Sequence, residues 1–277
     1  MDDTLYKHGF NFKKKFGQNF LSDTNLLRAI VSDAGIDENS TVLEIGTGAG
    51  ALTRALAEKA KRVVSYEIDR DLQPVLSETL AGLDNVKVVF RDFAKEDLAA
   101  LEKELGEYTV VANLPYYITT PLMMRFAEGA TTCLGLTVMV QVEVALRFCA
   151  KENTADYGAV TAALARRGKA ELLRKVPRTM FTPRPNVDSA IVKVDFGQGG
   201  FEVKNAKAYR DTVRCAFLSR RKTLENNLVN TFKLSRAQAQ DVLSAAHVRD
   251  GARGESLSPQ ELGALSDILF ERGIIKE

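Results

Sequence analysis

Asn113-Leu114-Pro115-Tyr116 is the stretch whose residue types most directly imply chemistry. An amide oxygen and the next residue's main-chain carbonyl can together accept both hydrogens of an exocyclic amino group. In an amine such as adenine N6 the lone pair is delocalised into the ring, so attack on an electrophile requires it to become localised and more tetrahedral. Two acceptors matched to the tetrahedral nitrogen stabilise that transition state over the planar ground state. Pro115 stiffens the turn. The Tyr116 ring can stack on a base, a contact worth about 1–3 kcal/mol by alanine substitution. No strong general base is required, because the ammonium that develops loses a proton readily. This suits a chain whose only histidines, His8 and His247, are too isolated in sequence for a triad or a histidine metal site.

A second group of residues suits a nucleoside. Gly46-Thr47-Gly48-Ala49-Gly50 follows a strand-like run at 41–45, and glycines there let the main chain turn sharply and a ligand approach it closely. Glu67 ends the next strand-like run, where nucleoside-binding α/β folds hold a carboxylate for the ribose hydroxyls. The spacing is GxGxG, but Ala51 occupies the third position of the dinucleotide pattern, which admits alanine. A nicotinamide oxidoreductase would use the same turn and acid; it leaves 113–116 unexplained. Asp92, just past the third strand, is a candidate acceptor for an adenine amino group or, alternatively, a helix N-cap. Phe181, in a proline-bounded loop, is either a second stacking face for a base or a core side chain.

Positioning these groups requires elements that alternate. Strands are predicted at 41–45, 62–67, 86–90, 108–112 and 136–142, with helical segments near 51–59, 70–81, 95–105, 119–129 and 143–150 between them. A lead-in amphipathic helix at 23–35 has Asp23 as its N-cap and Gly35 as its stop. This alternation predicts a doubly wound, mostly parallel sheet. Beyond 157 follow a helical YGAVTAALARR, a strand AELLRKV, a proline-rich bend and a strand SAIVKVDF, the two strands closing the sheet edge. Gly197-Gln198-Gly199-Gly200 interrupts all periodicity, so residues 1–198 are expected to form an α/β domain and 199–277 a small helical one, with helices at 206–217, 220–231, 235–245 and 258–272.

Composition removes several classes of function. Cys133, Cys149 and Cys215 form no CxxC pair, so neither a zinc site nor a disulfide framework is expected, and no metal is called for. No stretch approaches 18 apolar residues, and the acidic start leads into no apolar leader; a cytoplasmic protein is expected. A formal net charge of +2 leaves any polyanion surface to local clusters. Two stand out: Lys13-Lys14-Lys15, and Arg214 with Arg220, Arg221 and Lys222, where helical spacing would set Arg214 and Arg221 on one face. Each is a candidate for phosphate contact or a solvated surface.

The stretches FGQNFL (16–21), VLEIGTGAGALT (42–53), YEID (66–69), NLPYYITTP (113–121), QVEVA (141–145), FTPRPNVDSAIV (181–192), AFLSRRKTLENNL (216–228) and RGESLSPQEL (253–262) span most of the chain. On these, the sequence resembles the KsgA family of small-subunit (16S) ribosomal RNA adenine N6,N6-dimethyltransferases. The resemblance implies a seven-stranded class I methyltransferase domain of Rossmann-like form, with a helical C-terminal domain that grips the subunit. S-adenosyl-L-methionine would be the methyl donor and S-adenosyl-L-homocysteine the product. Asn19, Leu21, Gly46, Glu67, Asp92 and Asn113 are implied as cofactor contacts, with Gly48 of the glycine turn beside them. Asn113, Leu114, Pro115, Tyr116 and Phe181 would frame the target base. The implied substrate is two adjacent adenosines in the 3'-terminal hairpin loop of 16S RNA, within the small subunit or its precursor, modified by a monomer with a role in subunit biogenesis.

Erm-type enzymes, which act on 23S RNA, share the first half of this pattern, whereas SRRKTLENNL and RGESLSPQEL side with the 16S branch. A non-catalytic ribosome-assembly factor would use the basic clusters equally well, yet would leave the cofactor residues without a purpose. Thr47, Ala49 and Val160-Thr161-Ala162 depart from the family pattern at positions with no implied role.

Overall fold

The computed structural model describes residues 2–13 and 16–276; Lys14 and Lys15 of the first basic cluster lie outside the described residues. Nine strands are found among the described residues: β1 (Phe20–Leu21), β2 (Thr41–Ile45), β3 (Arg62–Glu67), β4 (Val86–Phe90), β5 (Tyr108–Asn113), β6 (Cys133–Gln141), β7 (Gly168–Val176), β8 (Phe181–Thr182) and β9 (Ser189–Phe196). Seven form one sheet in the order β4-β3-β2-β5-β6-β9-β7. Strands β2 to β6 pair in parallel, and β9 runs antiparallel to β6, with Ser189 opposite Gln141. The central strands read as near-continuous apolar runs because helices cover both faces: Val42, Leu43, Val63, Val64, Val110 and Val111 are all fully buried.

The strand order reverses at β2, which lies between β3 and β5. In an open parallel sheet the crevice at such a point, beyond the carboxyl ends of the strands, is where ligands sit. Gly46 follows β2, Glu67 ends β3 and Asn113 ends β5, so register alone brings the three chemistry-bearing groups to one edge. The lead-in helix Thr24–Ala34 is capped as its sequence indicates: the Asp23 side chain accepts from the Leu26 N–H, and Gly35 closes it at φ 73°.

One compact unit comprises residues 1–145 and 171–195, the other 146–170 and 196–277. The second therefore claims a segment that a division at 198 assigns to the first. The reason is burial. Ala162, on the helix Ala159–Arg167, is in the same apolar cluster as Tyr209, Val213, Leu262 and Leu265. The Tyr209 hydroxyl donates to the Ala162 carbonyl at 2.9 Å, and the Tyr157 hydroxyl to the Leu257 carbonyl at 2.9 Å.

The remaining helices of this unit are Ala206–Phe217, Leu224–Phe232, Arg236–Ala245 and Pro259–Glu271. The second of these starts at Leu224 instead of 220, because the Thr223 hydroxyl caps it by accepting from the Asn226 N–H, and the preceding helix has ended at Phe217. Arg220, Arg221 and Lys222 thus lie in the turn between two helices, and Arg214 and Arg221 share no helix face.

Two further differences concern elements with weak periodic signals. Strand β6 begins at Cys133, earlier than expected, since Cys133 pairs with Tyr108 before a register shift. Strands β1 and β8 form a two-residue antiparallel pair, Phe20 opposite Thr182 and Leu21 opposite Phe181, too short to show as alternation in sequence.

Candidate active site

A pocket of about 250 Å³ opens at the carboxyl edge of the sheet in the first unit. Its floor is the turn after β2. Gly46 and Gly48 have φ of 87° and 55°, a region closed to most side chains. A Cβ on Gly48 would come within 3.1 Å of the Phe20 ring, a tight contact that would have to be relieved by a shift of the ring, so the turn and the N-terminal segment approach closely here. Beneath the turn, Glu44 is fully buried. One of its oxygens accepts from the Thr53 and Ser65 hydroxyls, each at 2.6 Å, and Ser65 lies 2.6 Å from the Thr47 hydroxyl. Burial pushes the Glu44 carboxyl up to about 8, against the pull of the Ser65 and Thr53 hydrogen bonds and with the Glu67 charge adding to the rise.

Glu67 stands at one wall, 6% exposed. Its Oε2 accepts the Gly48 N–H and its Oε1 the Asp69 N–H, both at 2.8 Å. Burial raises this carboxyl as well, while main-chain donors, those of Asp69 and Gly48 foremost, hold it down. Each oxygen takes one of these donors, which leaves lone-pair capacity for further donors. Asp92 lines the same pocket and accepts from the Ala94 N–H at 3.0 Å, so it caps the turn while its carboxylate borders the pocket.

At the opposite wall, the Asn113 Nδ2 donates to the Asn19 carbonyl at 3.1 Å. That bond turns the amide so that Oδ1 is the atom left to accept from a ligand. Leu114 is buried and its N–H bonds the Met139 carbonyl at 3.3 Å. Pro115 and Tyr116 also line the pocket, and the Tyr116 hydroxyl is held 2.8 Å from the Ser189 hydroxyl. The ring orientation is thereby fixed, and burial raises the phenol above its usual range.

Phe16 to Leu21 form the remaining wall. Asn19 and Leu21, implied as cofactor contacts, are both in it. Two expected roles change here. Phe181 is 5% exposed, sits opposite Leu21 in a core cluster with Leu27 and Ile191, and does not line the pocket; the core alternative holds for it. Lys13 is no phosphate hook, because its ammonium is held by Asp69 at 2.6 Å and by Asp71. Gln18 and Tyr117 line the pocket with no role given to them from sequence, and Asp69 is buried behind Glu67 without lining it; the three stood inside the FGQNFL, NLPYYITTP and YEID stretches, which was the available signal.

The sequence profile of the family described as "Ribosomal RNA adenine dimethylase" matches residues 9–265. The chain belongs to that family. Among its relatives within the dimethylase family is "Ribosomal RNA small subunit methyltransferase A" of Bacillus licheniformis, 43% identical over 277 residues, covering 97% of this chain and 95% of that protein. The crystal structure of the 23S rRNA methyltransferase ErmE is similar at TM-score 0.68 and 30% identity, over 91% of this chain and 100% of the other. That of a dimethyladenosine transferase from Plasmodium falciparum superposes at TM-score 0.78 with 24% identity, over 92% and 98% of the two chains, and shows the shared fold.

In the second unit of this dimethylase family member, the basic cluster is less free than its sequence suggested. The Arg220 guanidinium pairs with Glu255 at 2.9 Å and donates to the Ala155 carbonyl at 2.9 Å. It braces the turn, which corrects its assignment as a phosphate contact. Arg221 and Lys222 are exposed and make no side-chain hydrogen bond or ion pair among the described residues. Arg249 and Arg253, given no role from sequence, line a notch of about 360 Å³ with Arg220 and Glu255. Among the described residues there is no His, Cys, Asp or Glu group able to hold a metal ion, and no helix long and apolar enough to cross a membrane.

Proposed function

We propose that this chain transfers methyl groups from S-adenosyl-L-methionine to N6 of adenosines in small-subunit ribosomal RNA, working as a monomer in the cytoplasm on the subunit or its precursor. The observation that carries this reading is the Asn113 amide, fixed by the Asn19 carbonyl with its oxygen left to accept. Such an acceptor, with the Leu114 carbonyl, favours the tetrahedral amino nitrogen and so lowers the barrier to its attack. Tyr116 holds the flipped base by stacking, its ring steadied through Ser189. Phe181 has no part in this proposal.

The residues present suit the cofactor. Glu67 retains acceptor capacity for two ribose hydroxyls, Asp92 can accept from the adenine amino group, and the glycine turn admits a ligand against the main chain. S-adenosyl-L-methionine would supply a methyl group activated on a sulfonium. The protein's own task is to hold the amino nitrogen in line, accept its hydrogens and exclude water with Phe20, Leu21 and Leu114.

Identity of 43% with a small-subunit enzyme against 30% with a 23S enzyme favours the 16S substrate over the Erm-type one. The helical unit would hold the RNA through Arg221, Lys222 and the Arg249 and Arg253 side chains, by phosphate contacts that carry little sequence information. The target would be the two adjacent adenosines of the 3'-terminal hairpin loop. Mass spectrometry of 16S RNA from a strain lacking the chain should show those two adenosines unmodified. Full dimethylation in that strain, or methyl transfer in vitro to 23S RNA in preference to the small subunit, would overturn the proposal.

A further inference from the structure

Two stretches remote in sequence, residues 13–18 and 69–71, converge at Asp69. It is buried at 2% exposure, yet it carries a charge and gathers donors from every side. Its Oδ1 accepts from the Lys13 ammonium at 2.6 Å and from the Asp71 N–H at 3.2 Å; its Oδ2 accepts from the Gln18 amide at 2.8 Å. Gln18 closes a ring, since its Oε1 accepts the Lys13 main-chain N–H at 2.7 Å, and Lys13 reaches Asp71 as well. Burial alone would raise the Asp69 carboxyl, but the Lys13 and Gln18 hydrogen bonds hold it below its usual range.

This cluster joins two walls of the pocket. On one side the main-chain N–H of Asp69 donates to Glu67 Oε1, and Glu67 Oε2 takes the Gly48 N–H. On the other, Gln18 is followed directly by Asn19, whose carbonyl takes the Asn113 amide, and by Phe20, whose ring lies against Gly48. Apolar packing of Leu5, Phe10 and Phe20 against Leu72, Val75 and Leu76 also holds the N-terminal segment, and its one strand among the described residues is the two-residue β1; the cluster adds the buried polar contact next to the pocket wall. Phe16 to Leu21 line one wall of the pocket, so the placement of this segment shapes the space a ligand would occupy.

We propose that Asp69, with Lys13 and Gln18, is a positioning clamp that pins the N-terminal segment over the cofactor and sets how long the cofactor stays bound. The inference rests on the reading that the pocket takes S-adenosyl-L-methionine. Its three members touch one another and the segment, and act on the cofactor through Glu67, Asn19 and Phe20. Asp69→Asn is the informative change because it removes the charge and keeps the main-chain N–H on Glu67.

The test is stopped-flow displacement of S-adenosyl-L-homocysteine from the full chain, beside single-turnover methylation at saturating S-adenosyl-L-methionine. The unaltered protein must first bind the homocysteine product; if it does not, the cofactor reading itself fails and the clamp falls with it. Given that binding, Asp69→Asn and Lys13→Met should each speed dissociation by about tenfold or more and change the single-turnover rate by less than about threefold. Lys13→Arg should restore slow release, and the double variant Lys13→Met with Asp69→Asn should be no faster than the worse single one, since both break the same interaction. Should Asp69→Asn fail to fold, Lys13→Met carries the test. Dissociation within about twofold of the unaltered protein in the folded variants, or a fall in single-turnover rate with release unchanged, would overturn the clamp.

Discussion

Glu67→Gln keeps the volume of the side chain and removes one acceptor, and the geometry lets its consequence be worked out. Two main-chain donors, from Gly48 and Asp69, approach the two carboxylate oxygens at 2.8 Å each. A glutamine can satisfy one of them and sets its own NH2 against the other. Leaving that buried N–H without an acceptor costs about 1–3 kcal/mol of stability. The cofactor loses in the same way. Two ribose hydroxyls would meet one neutral acceptor in place of a carboxylate, and a hydrogen bond to a charged group is worth about 1.5–3 kcal/mol. That corresponds to roughly a 10- to 150-fold rise in Kd. Glu67→Ala is the poorer probe, because it strands both main-chain donors and mixes a folding defect with a binding one. Calorimetric titration with S-adenosyl-L-homocysteine reads the affinity, and urea denaturation of the same sample reads the stability. A folded Glu67→Gln protein that binds within about twofold of the unaltered chain would refute the ribose assignment.

Asn113→Ala should lower the single-turnover rate by about 10²–10³-fold while RNA affinity changes little, because its acceptor acts on the transition state; equal turnover at saturation would remove the mechanism. The Glu44 carboxyl, ordinarily at 4.5 and about 8 in the folded protein, gives stability that is fully present below about 4.5 and is lost as pH rises towards 8, since the folded state holds the extra proton in that window. Glu44→Gln removes this slope, which is at most about 1.4 kcal/mol per pH unit, so its melting temperature should gain on the unaltered protein from pH 5 to 8 and then run parallel; identical pH profiles would contradict the buried acid. Arg221→Ala with Lys222→Ala should weaken binding to the small subunit and flatten the salt dependence by about one unit for each phosphate no longer neutralised. Arg220→Ala should instead lower the melting temperature, because Glu255 and the Ala155 carbonyl lose their donor; a pure salt-slope effect there would restore it as a phosphate contact.

The sequence by itself determined everything that depends on neighbours along the chain. The period of apolar residues specified the strands β2 to β5 and the helices between them, because burial on both faces or on one stripe writes itself into adjacent residues. The alternation of those elements fixed a parallel sheet, and a parallel sheet brings strand ends to one edge. Gly46, Glu67 and Asn113 therefore meet for a reason already present in their positions at the ends of β2, β3 and β5. The cap at Asp23 was legible for the same local reason, and Ser235 and Ser258 cap their helices in the same way.

What only the tertiary structure decided is which partner each polar or aromatic group finds across long separations. Lys13 and Arg220 looked like free cations in the chain, but each meets a carboxylate from elsewhere, Asp69 and Glu255. Phe181 read equally as a stacking face or a core residue until pairing with Leu21 buried it. Residues 146–170 joined the helical unit because the apolar face around Ala162 had a larger cluster to enter there than the sequence boundary suggested. The Asn113 amide was given its direction by the carbonyl of Asn19, 94 residues away. Periodicity records how much of a side chain is buried; it does not record against what, and charge pairing, ring burial and amide orientation all turn on the second quantity.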